Sequence, residues 1–195
     1  MKNTTKQARS IVGDSPAGRP ENDFYPTPPP VTRALLRVVP FVPPLTILEP
    51  ACGDGAMSEV LKSTGLEVIS SDLDDHGYGD IGVDFLDSTR TTSGPLAIVT
   101  NPPFKLAYEF IDHAINNFKA DHLCLLMKLV ALEGISRSKL MHDTKLSRVY
   151  VFRNRIKLTR NGDDYKNGGM MAFAWFVWNR GWTGAPEIGW ISTKD

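Results

Sequence analysis

Short apolar runs alternate with segments of helical spacing through most of this chain, and that alternation limits its fold more than any other feature. It is typical of a mainly parallel sheet with helices on both faces, because each parallel pair needs a crossover segment. The predicted strands are 45–48, 67–71, 96–100, 123–127, 148–152 and 171–178, and the predicted helices are 31–39, 56–63, 107–118 and 132–142.

The two ends of the chain follow different patterns. Residues 1–22 are polar and lack periodicity, which predicts a flexible tail ahead of a single domain at 23–195. Only a polar, glycine-rich loop separates the last two predicted strands, so we expect them to pair antiparallel.

Composition excludes several classes of protein. The 195 residues include 22 basic and 22 acidic ones, so any site for a polyanion must be a local patch. The two cysteines, Cys52 and Cys124, have no metal-ligand spacing and suit a reducing compartment. No apolar run reaches the roughly 18 residues of a membrane helix. We therefore expect a soluble cytoplasmic protein with no metal and no membrane partner.

The sequence Asn101-Pro102-Pro103-Phe104 follows the apolar run at 96–100 directly. Its prolines make the backbone rigid and leave carbonyls without ladder partners. Asn101 offers a side-chain acceptor, Pro102 a backbone acceptor and Phe104 a flat apolar face. This set fits a planar group that bears an amine, such as the exocyclic NH2 of adenine, although a tight strand-to-helix turn explains the four residues equally well.

A second motif, Glu49 to Gly55, lies between the first strand and its helix. Gly53 and Gly55 allow a sharp turn and close approach of a ligand. Ser58 stands where a dinucleotide fingerprint has its third glycine, and the loop acids disfavour a pyrophosphate. Those acids favour a cationic ligand, such as the amino group of a methionine moiety. Asp72, 17 residues after Gly55, lies near the place where an acid binds ribose hydroxyls.

Together these motifs resemble the S-adenosylmethionine-dependent DNA adenine-N6 methyltransferases, especially small phage and prophage members. The cofactor loop at 49–55, the tetrapeptide at 101–104 and the upstream segment Asp23 to Pro28 carry the resemblance, which covers roughly 23–178. It implies a Rossmann-like class I methyltransferase fold with a mostly parallel seven-stranded sheet, a C-terminal antiparallel hairpin and helices on both faces. It also implies a bacterial or phage-infected host cell.

The resemblance also assigns roles to individual residues. Asn101, Pro102, Pro103 and Phe104 would be catalytic. The residues that would bind S-adenosylmethionine, and its product S-adenosylhomocysteine, are Tyr25, Thr27, Glu49, Ala51, Cys52, Gly53, Gly55, Asp72, Asp84 and Phe85.

A basic stretch late in the chain is the candidate nucleic-acid surface. Between Glu133 and Gly168 the sequence has nine Lys or Arg residues and four acidic residues, although the net charge of the whole chain is zero. Such a patch can hold phosphates, although a solvated basic face explains it as well. The predicted nucleic-acid-binding residues are Lys105, Arg153, Arg155, Lys157 and Arg160.

No segment is long enough for a separate target-recognition domain, so sequence specificity would be short, relaxed or supplied by a partner. DNA is the expected substrate. The alternatives are RNA methylation at guanine N2 or adenine N6, methylation of protein glutamine, and a silent subunit that binds the cofactor without transfer.

Overall fold

The computed structural model describes residues 24–158 and 171–194. The predicted tail at 1–22, Asp23, Arg160 and the loop from Asn161 to Gly169 lie outside these residues. The strands are β1 Thr46–Glu49, β2 Glu67–Asp72, β3 Asp80–Ile81, β4 Leu96–Thr100, β5 His122–Lys128, β6 Arg148–Phe152, β7 Phe173–Asn179 and β8 Glu187–Ile191. The α-helices are α1 Pro29–Leu36, α2 Ala56–Lys62, α3 Ala107–Asp112 and α4 Ile135–Asp143.

The strands form one sheet in the spatial order β3-β2-β1-β4-β5-β7-β6-β8. From β3 to β5 all neighbours are parallel, whereas β7 is antiparallel to both β5 and β6. The predicted antiparallel pairing of the last two long runs is therefore confirmed. The sheet has eight strands rather than seven, because β8 pairs in parallel with the outer side of β6.

Helices cover both faces of this sheet, as predicted, and the alternation of side chains along each strand separates two cores. On β4, Ala97 and Val99 face the core that α1 and α2 complete. Leu96 and Ile98 face the opposite core, with α3 and α4. A strand buried on both faces reads as a continuous apolar run, which is why β4 is easily found in the sequence.

Helix α1 begins with prolines, which suit a first turn because its N–H groups have no intrahelical partner. Val31, Ala34 and Leu35 form its buried stripe. The indole N–H of Trp175, at the centre of β7, donates to the Val31 carbonyl at 3.1 Å. This bond ties α1, and the segment before it, to the middle of the sheet.

Three helices depart from their predicted bounds, of which α1 is Pro29–Leu36 rather than 31–39. Helix α3 ends at Asp112 and continues as a π-helical turn, His113–Asn117. After β5 the chain forms a 3-10 turn, Leu129–Leu132, and Gly134 at φ +101° separates that turn from α4. Among the residues that the structure describes, no helix has the length and apolar character needed to span a bilayer.

The topology gathers several strand ends at one edge of the sheet. Strands β1, β2, β4 and β5 run parallel, so their carboxyl ends lie together. Strand β6 shares that direction, since it and β5 each pair antiparallel with β7. The loops that follow these strands therefore face the same side of the molecule.

Candidate active site

A cleft opens at this carboxyl edge, between the loop after β1, the ends of β2 and β4, and the segment before α1. The predicted residues that line it are Tyr25, Thr27, Glu49, Ala51, Cys52, Gly53, Asp72, Asn101, Pro102, Pro103 and Phe104. Lining residues outside the predicted set are Phe24, Pro26, Asp54, Met57, Leu73, Asp74, His76 and Leu106. The two motifs, about 50 residues apart in sequence, thus share one cavity.

The glycine loop after β1 is shaped for close contact. Gly53 adopts φ +53°, and a Cβ at this position would overlap the ring of Phe24. That ring stacks on the imidazole of His76, with ring centres 4.2 Å apart. Gly55, at φ +81°, precedes α2, and a Cβ there would overlap the Tyr78 ring. Both positions require glycine, and at Gly53 the absence of a Cβ makes room for the Phe24 ring.

Asp72, the last residue of β2, supports this loop. Its Oδ2 accepts a hydrogen bond from the Gly53 backbone N–H at 2.8 Å, and its Oδ1 accepts one from the Asp74 N–H at 3.0 Å. Each carboxylate oxygen can accept a further bond, so a ribose hydroxyl can still bind. Asp72, Asp74 and His76 form a cluster on the same wall of the cleft. The side-chain atoms with which they could ligate a metal ion lie within 4.8 Å of one another.

Glu49 lies at the floor of the cleft and is 2% exposed. Burial raises the pKa of its carboxyl to about 8, and the nearby charges of Asp72 and Asp54 add to the effect. The Ser58 hydroxyl donates to Glu49 and lowers the pKa in part. The carboxyl is therefore mostly protonated at neutral pH, and a cation bound beside it would favour its ionised form.

Cys52 packs below the loop, where its backbone N–H donates to the Ser71 carbonyl at 3.0 Å. Burial, with the charges of Glu49 and Asp72, raises the pKa of its thiol to about 12. A thiol that stays protonated is a weak nucleophile. Cys52 thus positions the loop and does not take part in covalent chemistry.

Asn101 follows β4, and its amide is held in one orientation. The Nδ2 group donates to the Tyr25 carbonyl at 3.0 Å, which turns Oδ1 the other way. This Oδ1 atom is buried and accepts no hydrogen bond from any residue in the described ranges 24–158 and 171–194. An unsatisfied buried acceptor costs roughly 1–3 kcal/mol, so the site is prepared for a donor from a ligand.

The rest of the tetrapeptide is rigid. The Pro103 carbonyl accepts from the Leu106 N–H at 2.9 Å, which forms the turn into α3. Among backbone hydrogen bonds between described residues, none ends at the Pro102 carbonyl. The ring of Phe104 lies 5.6 Å from that of Tyr25, measured between centres. On another side Phe104 meets Lys128 and Phe173, two neighbours that the sequence patterns did not indicate.

Three predicted cofactor residues, Gly55, Asp84 and Phe85, are not among the residues that line this cleft. Phe85 is 3% exposed and packs in the core against Phe110 and Phe118. Asp84 is half-buried, and its Oδ1 accepts from the Leu86 N–H at 2.9 Å. The structure therefore places Phe85 in the hydrophobic core and not among the cleft residues.

The basic residues lie on the same edge as the cleft. Lys105, Arg153, Arg155 and Lys157 are exposed, whereas Arg160 falls outside the described residues. Arg153 and Arg155 line a groove that also includes Met171 and Phe173. Phe173 lies 6.0 Å from Phe104 between ring centres, so the groove leads toward the tetrapeptide. From β4 to β6 the sheet spans three strand spacings, or about 14 Å.

The strand order, with β7 antiparallel between β5 and β6, defines the Rossmann-like class I methyltransferase fold, and the fold prediction is confirmed. In sequence, the chain matches no family model and no curated protein.

Solved structures share this fold. A modification subunit assigned to a type I restriction enzyme of Vibrio vulnificus YJ016 has a TM-score of 0.59 and 14% identity, over 88% of this chain and 47% of that one. The type I restriction-modification methyltransferase subunit of Streptococcus thermophilus has a TM-score of 0.62 and 13% identity, over 84% and 46%. The 23S rRNA methyltransferase ErmE has a TM-score of 0.56 and 16% identity, over 81% of this chain and 70% of that one. This chain spans about half the length of the two type I subunits.

Proposed function

We propose that this protein is an S-adenosylmethionine-dependent methyltransferase that acts on an exocyclic amine, with N6 of adenine in DNA as its acceptor. The observation that carries the proposal is the buried, unsatisfied Oδ1 of Asn101 at the end of β4. It lies in the same cleft as the glycine loop after β1. A class I methyltransferase fold around this pairing supports the reaction type.

The cleft residues fit the cofactor in two respects. Residues 51–53 line the cleft, so peptide groups of this loop that are not already hydrogen-bonded can contact a ligand there. Glu49 and Asp54 place acid groups beside the site for a cationic amino group, and Asp72 can accept from ribose hydroxyls. When bound, S-adenosylmethionine supplies an electrophilic methyl group on a sulfonium and leaves as S-adenosylhomocysteine.

On the acceptor side, Asn101 and Pro102 act on the amine. The lone pair of an adenine N6 is delocalised into the ring, which makes the nitrogen a poor nucleophile. The Asn101 Oδ1 and the Pro102 carbonyl each accept one N6 hydrogen and favour a tetrahedral nitrogen with a localised lone pair. The hydrogen bonds from N6 to these acceptors become stronger as positive charge develops on the nitrogen. They therefore stabilise the transition state more than the ground state.

Tyr25 and Phe104 control how the acceptor enters. The Tyr25 carbonyl keeps the Asn101 oxygen, rather than its nitrogen, available to the amine. Since Oδ1 is buried, an amine reaches it only after part of the cleft wall moves, and Tyr25 already contacts both Asn101 and Phe104. Phe104 then stacks on the base, worth about 1–3 kcal/mol. In duplex DNA the base must first leave the helix.

Nucleic acid as the substrate class is supported by the basic groove that leads to Phe104. The similarity to type I restriction-modification subunits favours DNA, whereas the similarity to the 23S rRNA methyltransferase ErmE points to RNA as the alternative. We propose that 23–195 acts as one domain, and that sequence selection is relaxed or comes from a partner subunit.

The proposal is tested by transfer of labelled methyl from S-adenosylmethionine to unmethylated duplex DNA, tRNA, ribosomal RNA and protein extract in parallel. We expect label in DNA, recovered as N6-methyladenine after digestion. Label in RNA or protein alone would keep the reaction type and overturn the substrate. Bound cofactor without label in any acceptor would favour a silent cofactor-binding subunit.

A further inference from the structure

Four large apolar side chains are exposed around the tetrapeptide at the carboxyl edge of the sheet. Leu106, two residues after Phe104, is 40% exposed and lines the cleft. The others are Leu132, Ile135 and Met171, which are 38%, 91% and 39% exposed. We call these four residues the apolar rim. Single exposed apolar residues are common, whereas a group of them around one site marks an interaction surface.

The rim lies beside the ring on which the acceptor base would stack. Leu132 and Met171 line one hollow after the end of β5. Met171 is two residues before Phe173, whose ring centre lies 6.0 Å from that of Phe104. Ile135 follows Leu132 by three residues, so the rim continues from this hollow to the start of α4.

Ile135 is the most exposed member of the rim. It is the first residue of α4 and follows Gly134, whose φ of +101° turns the chain into the helix. Burial raises the pKa of the Tyr108 hydroxyl in α3, and the Arg137 guanidinium, two residues after Ile135, lowers it in part. The start of α4 is therefore close to the start of α3, which follows the tetrapeptide.

We propose that the apolar rim is the surface that meets duplex DNA around the target base, and that Ile135 enters the base stack in place of the extruded adenine. The inference rests on the proposed function and deepens it, because it names how a base is taken out of a duplex. Isoleucine, leucine and methionine are side chains that enter base steps in proteins that deform DNA. An apolar side chain in the gap restores part of the stacking that extrusion removes.

The position of the rim favours the acceptor over a permanent protein partner. Leu106 belongs both to the rim and to the wall of the cleft. Met171 belongs both to the rim and to the groove that leads toward Phe104. A protein seated on these residues would block the approach of the acceptor, whereas the acceptor itself meets them on its way in.

The charges around the rim also suit a nucleic acid. Lys105 is exposed next to Leu106, Arg137 lies at the start of α4, and Arg153 and Arg155 line the adjoining groove. Two acids, Glu109 and Glu133, lie in the same segments, so the balance around the rim is positive. Apolar side chains surrounded by positive charge match a duplex, whose bases are flanked by phosphates.

The test compares methyl transfer to one long unmethylated circular DNA, supplied in single-stranded and in double-stranded form. Ile135→Ser should lower transfer to the duplex by about tenfold or more, because the gap left by the base stays unfilled. Transfer to the single strand should stay at the wild-type rate, since its bases need no extrusion. Ile135→Leu should keep both rates.

The matched control is Ile188→Ser, the same change at an exposed isoleucine of the edge strand β8. It should keep both rates. Both isoleucines are exposed, so neither serine variant should lose stability, and binding of S-adenosylhomocysteine checks that each variant is folded.

A second measurement follows the base itself. 2-Aminopurine replaces part of the adenine in the duplex, and its fluorescence rises when it leaves the stack. In the presence of S-adenosylhomocysteine, wild type and Ile188→Ser should raise the emission, and Ile135→Ser at saturating concentration should not.

Three results would overturn the role of the rim while the proposed function stands. They are an equal loss of transfer to both DNA forms in Ile135→Ser, a wild type that methylates only the single strand, and an unchanged Ile135→Ser variant in both measurements. The last result would assign the rim to a protein partner. A wild type that methylates neither DNA form would overturn both proposals.

Discussion

Asn101 depends for its orientation on a carbonyl from a distant part of the chain. Its Nδ2 donates to the Tyr25 carbonyl, 76 residues earlier in sequence, and this bond decides which end of the amide faces away from Tyr25. The segment before α1 is therefore part of the candidate site, because its Tyr25 carbonyl fixes the orientation of the Asn101 amide.

Asn101→Ala should leave the affinity for S-adenosylhomocysteine nearly unchanged, because the predicted cofactor contacts lie on the glycine loop after β1 and at Asp72. Methyl transfer at saturating cofactor should fall by about 10²-fold or more, as for loss of one preorganised transition-state hydrogen bond. Calorimetry and a label-transfer assay measure the two quantities. Asn116→Ala, at an exposed asparagine that bonds Asp112, is the control and should retain both. Lost cofactor affinity with normal turnover would show that Asn101 is misassigned.

Glu49 gives the fold a pH dependence. In the unfolded chain its carboxyl ionises near pH 4.5, whereas burial in the folded protein raises the pKa to about 8. Between these values the folded protein holds one more proton than the unfolded chain. The free energy of unfolding therefore falls as pH rises through this window, by an order of a few kcal/mol in total, and levels off above about pH 8.

Glu49→Gln should remove this contribution, since the amide cannot ionise. Urea unfolding at pH 5.5, 7 and 8.5 should give a flatter pH profile than wild type. The control is Glu109→Gln, an exposed residue of α3, which should keep the wild-type profile. Identical profiles for wild type and Glu49→Gln would contradict the burial argument.

Residues at strand ends could be predicted from the sequence because strand order fixes where they lie. The glycine loop, Asp72 and Asn101 each follow an apolar run, and parallel strands bring such ends to one edge. Lys128 and Phe173 could not be found this way, since their meeting with Phe104 depends on the β5–β7 register. The role of Phe85 stays a prediction, since its ring packs against Phe110 and also lines a separate pocket with Leu48 and Pro50.

At the scale of elements, α1 and β7 are joined by Trp175, which is fully buried. Trp175→Phe should cost about 2–4 kcal/mol of unfolding free energy, because it leaves a cavity and removes the donor to the Val31 carbonyl. Trp190→Phe in β8 makes the same chemical change at 65% exposure and should stay within about 0.5 kcal/mol. Urea unfolding of both variants measures the difference, and equal losses would show that α1 is not anchored by this bond.

Most strands and helices could be predicted because both faces of the central sheet are buried. Strand β3 has two residues, too few for a pattern. Strand β8 lies at the sheet edge, and its exposed Ile188 and Trp190, with Gly189 between them, do not form a buried run. The bounds of α3 and α4 were missed because a π-helical turn and a 3-10 turn extend or precede them.

For the molecule as a whole, the glycine loop after β1, the tetrapeptide at 101–104 and the basic groove all lie at one edge of a single sheet. The chain covers about half of each type I subunit that shares its fold. We propose that this domain carries out the transfer and that a partner affects the choice of sequence.

A single-turnover experiment tests this claim most directly. The purified chain is loaded with labelled S-adenosylmethionine and mixed with an excess of unmethylated duplex DNA, with the Asn101→Ala variant as the matched blank. We predict that label appears in DNA as N6-methyladenine, up to one methyl group per chain, and that the blank stays near background. Cofactor retained in full by the wild-type chain, with no label in the DNA, would contradict the account.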